Sequence, residues 1–334
     1  MKKSKKIFNI ILLIVVTGIV LYFSLRNNFS ATIKEIATMD MKYLSIAFLL
    51  LFIFWIFRSY PMYSFCKKIN SNFRYIHSFQ LTLRTQFFNA VTPFATGGQP
   101  YQIYYLKQCG INYAASTGVV LQNFIVYQIA LVTLGIVALI CNSIFHIFNN
   151  APILQKLIAL GFVINTLVIV VMFLVAFDKK VNKKLIDLGI IILTKLHIVK
   201  NKEAQLKKWD ESINSFHENA KILLKDKLSF IANIVYNFIA LCCLYMIPFF
   251  VFLAMGETGI NPGTAIVTSA YIMIIGSFVP IPGATGGLEY GFVQFYGNFF
   301  AGTVLSAAML VWRFITYYFG LIVGAIALNI RRPE

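Results

Sequence analysis

The chain has 334 residues, 59% of them hydrophobic and only 12% charged, with 32 Phe and a mean hydropathy of +0.75. The length alone would allow two soluble domains, but a composition this apolar excludes them. The formal net charge of +17 does not point to nucleic acid, because the lysines cluster between apolar runs, as topology signals of membrane proteins do.

In chain order, runs of roughly 20 apolar residues, each long enough to cross a ~30 Å hydrocarbon core as a helix, predict full spans near 7–25, 43–63, 114–141, 154–177, 228–254 and 303–330. They are far longer than the roughly 10-residue alternating segments of an outer-membrane barrel, so the expected fold is an all-α polytopic membrane protein. The first run follows Met1-Lys-Lys-Ser-Lys-Lys6 and lacks a small-x-small cleavage site. It reads as a retained anchor rather than a cleaved signal.

Two segments between the spans are broken in the middle. Residues 77–107 contain Pro93-Phe-Ala-Thr-Gly-Gly-Gln-Pro-Tyr101, and residues 264–300 contain Pro282-Gly-Ala-Thr-Gly-Gly-Leu-Glu-Tyr290. Both fit Pro-x-Ala-Thr-Gly-Gly-x-x-Tyr at an offset of 189, and the same offset matches Leu121 to Leu310, Gly135 to Gly324, Ala138 to Ala327 and Leu139 to Leu328. Pro and paired Gly end helices and permit turns, so both segments are expected to be re-entrant helical hairpins. Irregular backbone at membrane depth is tolerated where protein buries it or it lines a wet cavity.

Between the halves, 178–227 carries twelve lysines against seven acids. It is too polar to span, and its apolar middle predicts a basic amphipathic segment on the cytoplasmic surface. Placing it inside, together with the amino-terminal lysines, Lys67, Lys68, Arg74, Arg331 and Arg332, puts both termini in the cytoplasm. One hairpin then opens from each side. The halves, about 43–141 and 228–330, form an inverted-topology repeat, with Pro61 and Pro248 at near-equivalent places. Such repeats let one site face either side in turn.

The five cysteines and four histidines show no metal-ligand spacing, and neither a Walker loop nor a dinucleotide fingerprint occurs. No catalytic residue, metal or cofactor is expected. Buried charge is the stronger signal. Arg313 lies near the middle of the last span, Arg58 near one end of the second, and Arg84 in the first hairpin arm. A half-helix amino terminus offers unpaired N–H groups and partial positive charge to a phosphate or carboxylate. Thr96-Gly97-Gly98 and Thr285-Gly286-Gly287 both open such half-helices. Glu289 can pair with Arg313, meet a cationic headgroup or carry a coupling proton. The expected cavity is lined by Thr96, Gly97, Gly98, Gln99, Tyr101, Thr285, Gly286, Gly287, Glu289 and Tyr290, with Arg58, Arg84 and Arg313 supplying charge for a lipid phosphate.

On Thr92-Pro-Phe-Ala-Thr-Gly-Gly-Gln-Pro100 and Pro280-Ile-Pro-Gly-Ala-Thr-Gly-Gly-Leu-Glu289, the chain resembles the flippase-like membrane domain of the lysylphosphatidylglycerol synthase family. The resemblance implies an acidic role for Glu289, whereas Gln99 stands where fused members more often carry Glu. It implies movement of lysyl-phosphatidylglycerol or a related aminoacyl lipid to the outer leaflet, which lowers binding of cationic antimicrobial peptides. With no transferase-like region after Arg331-Arg-Pro-Glu334, a stand-alone translocator is expected. Its partners would be anionic or aminoacylated membrane phospholipids and a separate lipid-modifying enzyme. Phosphatidylglycerol lysyltransferase activity, an accessory role to such an enzyme, and transport of a polyprenyl-linked sugar stay open as alternatives.

Overall fold

The computed structural model describes residues 29–148, 152–177, 226–276 and 279–330. The expected span at 7–25, nearly all of the basic segment at 178–227, and Arg331 and Arg332 lie outside the described residues. What is described is helical, with no strand among the described residues.

A short helix α1 (Phe29–Ala37), not anticipated from hydropathy, precedes α2 (Met41–Ile69). Then come α3 (Tyr75–Ala90), a 3-10 turn at Pro93–Ala95, α4 (Gly98–Gln108), α5 (Tyr113–Phe145) and α6 (Pro152–Phe177). The second half runs α7 (Lys227–Ala254), α8 (Pro262–Gly276), a 3-10 turn at Pro282–Ala284, α9 (Gly287–Tyr296), α10 (Gly302–Arg313), a π-helical turn at Phe314–Tyr318 and α11 (Phe319–Asn329). Helices α2, α5, α7 and the continuous stretch Gly302–Asn329 are long and apolar enough to cross a membrane. Stripes such as Ile136, Ile140 and Ile144 on α5, or Ile231, Val235 and Ile239 on α7, are exposed. That pattern suits hydrocarbon rather than water.

The helix starts follow local chemistry. Asp40, Asn112 and Asp226 accept from the amides of Lys42, Ala115 and Ser229 at 2.8, 2.9 and 3.0 Å, satisfying donors that a first turn leaves open. Pro61 and Pro248 are both buried inside helices, α2 and α7, and these two pack extensively on each other.

Both expected breaks are present, and they share a pair of left-handed residues before diverging at Thr96 and Thr285, whose ψ are −11° and 139°. Phe94 and Ala95 have φ of 53° and 52°; Gly283 and Ala284, 189 positions on, have 66° and 51°. Left-handed conformation is costly for three of these four residues, so the turns are held by their surroundings. The arms are short: 16 and 11 residues around the first turn, 15 and 10 around the second. Each is below the roughly 20 that a full crossing takes.

Packing is reciprocal between the halves. Helix α3 lies along α11, α8 lies along α5, and the two 3-10 turns touch. Gly324 on α11 faces the α3 backbone, where a Cβ would stand 2.7 Å from Phe87 N and 2.9 Å from Leu83 O. Its counterpart Gly135 on α5 faces Phe162 of α6 at 3.6 Å and Ile274 of α8 at 3.9 Å. Each hairpin is thus gripped by the last span of the opposite half.

Candidate functional site

The meeting point of the two turns divides into two polar clusters of opposite character. The first is a partly open cavity of about 80 Å³ lined by α2, α3, α4 and α5. Arg58, Thr82, Gln86, Asn89, Gln99 and Asn123 supply most of its polar lining, with Gly98 at the base of the first turn. Arg58 Nη1 donates to Asn123 Oδ1 at 3.2 Å, and its guanidinium carbon lies 4.5 Å over the Tyr127 ring. The two ion pairs found among the described residues, Lys68–Asp226 and Arg313–Glu289, do not include it. Arg58 is therefore a half-buried cation solvated by an amide and a ring face, with donors to spare.

The first turn is built to bring α4 against α3. Thr92 Oγ1 donates to Phe88 O at 2.7 Å and accepts from Gly97 N at 2.8 Å. A Cβ at Gly97 would press on Thr92 and on Phe88 O, and one at Gly98 would collide with Asn89 and Thr85. The Gly-Gly pair is the condition for that approach. Thr96 is exposed and donates to Pro93 O at 3.0 Å. Tyr101 stacks on Phe88 with centroids 4.2 Å apart.

The second cluster is built around an ion pair. Arg313 Nε stands 2.7 Å from Glu289 Oε1, and its Nη2 donates to Gly283 O at 3.0 Å and lies 3.4 Å from Thr285 Oγ1. The guanidinium also lies 4.6 Å over the Tyr317 ring. The other carboxylate oxygen of Glu289 accepts from Gly286 N at 2.7 Å. That amide is one of the amino-terminal donors that the sequence offers to an external anion. Here Glu289 supplies the anion from within, one turn along its own helix. Thr285 is buried and donates to Pro282 O at 2.9 Å. A Cβ at Gly283 would collide with the Tyr317 ring, and one at Gly287 with Val279. Tyr290, the counterpart of Tyr101, is 55% exposed.

Arg84 belongs to neither cluster's free face. It is buried on α3, where Nε donates to Ala327 O at 3.0 Å and Nη2 to Ile330 O at 2.8 Å. Its charge sits on the carbonyl end of α11, where cations are favoured. Sequence reasoning missed Asn123, Tyr127 and Tyr317. The Gln122-Asn123 pair inside an apolar span was the available signal for the first. Tyr317, one turn after Arg313, joins the clusters: its hydroxyl donates to Ala90 O at 3.0 Å, at the end of the first hairpin's leading arm. It lies in the π turn, a feature frequent at functional sites.

Residues 9–324 match the family model described as the lysylphosphatidylglycerol synthase TM region. The chain is also similar to a UPF0104 membrane protein of Archaeoglobus fulgidus, 26% identical over 292 residues that cover 86% of this chain and 85% of the relative. The chain belongs to the lysylphosphatidylglycerol synthase TM region family and is a multi-pass membrane protein.

Proposed function

We propose that this protein carries an anionic or aminoacylated phospholipid, lysyl-phosphatidylglycerol first among them, from the inner to the outer leaflet of a bacterial cytoplasmic membrane. Both termini are cytoplasmic in this reading, and the outcome is resistance to cationic peptides. The observation that carries it is Arg58, a cation with no carboxylate partner among the described residues, set in a polar cavity beside a broken helix. A phosphate there would receive charge-assisted hydrogen bonds from the guanidinium. Gln99, Gln102 and Asn89 are available for the rest of the headgroup.

The two tips take different roles. The first supplies the phosphate contact. At the second, Glu289 neutralises Arg313, so that tip acts as a rigid counterpart whose state reaches the first through Tyr317 and Ala90. Arms too short to cross, meeting tip to tip, support re-entrant hairpins in an inverted-topology repeat.

The test is transbilayer movement of labelled lysyl-phosphatidylglycerol and phosphatidylglycerol in proteoliposomes, comparing the wild type with Arg58→Gln. Movement well above empty liposomes, lost in the variant while the protein stays folded, is expected. Absence of movement for both lipids, with or without a proton gradient, overturns the reading. A new lipid in extracts of cells expressing the chain alone would favour an enzyme instead.

A further inference from the structure

The Arg58 cavity is positive from two sources. One is the guanidinium itself. The other is α4, whose first residue, Gly98, forms part of the wall, since a helix amino terminus carries a partial positive charge. The polar wall opposite them is neutral and comes mainly from Thr82, Gln86, Asn89, Gln99 and Gln102.

No carboxylate among the described residues offsets that charge. The described acids are Glu35, Asp40, Asp226, Glu257 and Glu289, and none lines the cavity. Glu289 is 2.7 Å from Arg313, and Asp226 is 3.1 Å from Lys68. Asp40 caps the start of α2, and its amide donates to Ala254 O, which brings Glu257 to that end as well. That end is about 27 Å from Arg58 along the helix, at 1.5 Å per residue. Glu35 belongs to α1, just ahead of it.

A phosphate suits such a cavity and an ammonium group does not. The phosphate receives charge-assisted hydrogen bonds from Arg58. An ammonium group would enter without a counter-ion and beside a like charge, and a buried charge without a partner is costly. The neutral wall adds a second preference. Asn and Gln amides offer both donors and an acceptor; a hydroxyl answers both, whereas an ammonium only donates.

We propose that the Arg58 cavity selects a phosphodiester lipid with a neutral, hydroxyl-bearing headgroup over one whose headgroup carries ammonium groups. Phosphatidylglycerol and glycosyl phosphate lipids share that chemistry. The selection rests on the cavity being the headgroup site of the translocator reading. It reverses the order of substrates that family likeness suggests, because a lysyl group brings ammonium groups to a site already occupied by Arg58. Gln99, in the first turn of α4, is the specificity-determining position, where a carboxylate would supply the missing counter-ion.

The experiment measures binding of short-chain phosphatidylglycerol and lysyl-phosphatidylglycerol to the full-length protein in neutral detergent by titration calorimetry. Movement of both lipids in proteoliposomes is followed alongside. Phosphatidylglycerol is expected to bind about tenfold more tightly or better, the equivalent of one good contact, and Arg58→Gln should erase the advantage. Gln99→Glu keeps the shape and adds a carboxylate, so the lysyl lipid should gain affinity and phosphatidylglycerol lose it. Equal or tighter binding of the lysyl lipid by the wild type overturns the selection. A preference that survives Arg58→Gln, or no binding of either lipid, overturns it too. Tighter binding of a glycosyl phosphate lipid, run as a third probe, supports the class and identifies a sugar as the headgroup. Selective binding without movement of either lipid leaves the selection standing and overturns the translocator reading, whereas faster movement of the lysyl lipid overturns the selection alone.

Discussion

Arg313 and Glu289 face each other across 2.7 Å, from α10 and from the first turn of α9, with side chains only 5% and 8% exposed. Their pairing makes the second tip electrically quiet, while Arg58, beside the first, is in neither ion pair found among the described residues.

Removing one member of such a pair strands the other. Glu289→Gln and Arg313→Ala are each expected to destabilise the protein by about 3–5 kcal/mol, since a buried charge is left uncompensated. Combining Glu289→Gln with Arg313→Met should cost clearly less than the sum of the single changes. Chemical unfolding in detergent, run as a double-mutant cycle, checks this; strict additivity would deny the pairing.

Arg58→Gln behaves differently. The side chain is half-buried and donates one hydrogen bond, to Asn123, so the expected loss of stability is no more than about 1.5 kcal/mol. A collapse comparable to that of Glu289→Gln, in the same unfolding assay, would make Arg58 a structural residue.

The equivalent glycines should respond unequally. Gly324→Ala meets the main chain of α3, at Phe87 N and Leu83 O, whereas Gly135→Ala meets only ordinary contacts with Phe162 and Ile274. Overpacking costs about 1–3 kcal/mol, so Gly324→Ala should lower the melting temperature distinctly and Gly135→Ala hardly at all. Equal effects would contradict the close approach of α3 to α11.

Tyr317→Phe removes the hydroxyl that reaches Ala90 O and leaves the ring over Arg313. A loss of about 1 kcal/mol is expected. Amide exchange should also become faster at Val91–Gly97 than elsewhere. Unchanged protection there would mean that the two tips are not held together by this bond.

At the start of α7, the Asp226 carboxyl is held below its ordinary value, first by the Ser229 amide and then by Lys68 at 3.1 Å. A depressed value means that the stabilisation is complete above the ordinary carboxylate range, near 3.9. It is lost only as pH falls through the lower, folded-state value. Exchange protection of the first turn of α7 should thus be flat from neutral pH to about 4 and then fall. Asp226→Asn, which can still cap, should flatten that fall.

Much of the fold was legible because lipid imposes simple rules. Hydropathy placed 43–63, 114–141 and 228–254 inside helices that the structure shows as Met41–Ile69, Tyr113–Phe145 and Lys227–Ala254, and 303–330 on Gly302–Asn329 to within one residue. The duplicated Pro and Gly-Gly pattern marked both breaks to within a few residues, since few residue types tolerate such turns. The pairing of Glu289 with Arg313 was among the options because both are charges in apolar surroundings, and such charges seek partners.

Sequence by itself determined the long helices, the two breaks and which residues carry charge, because those depend on local composition and backbone chemistry. Only tertiary structure decided how the charges are used. Arg84 and Arg58 look alike in one dimension, yet one is consumed by the carbonyl end of α11, more than 240 positions away, and the other opens into a cavity. The matched glycines at 135 and 324 likewise differ only in what the opposite half brings against them. Partners contributed across the fold leave no trace in a residue's own neighbourhood, and it is the partner that fixes whether a buried charge is spent or available.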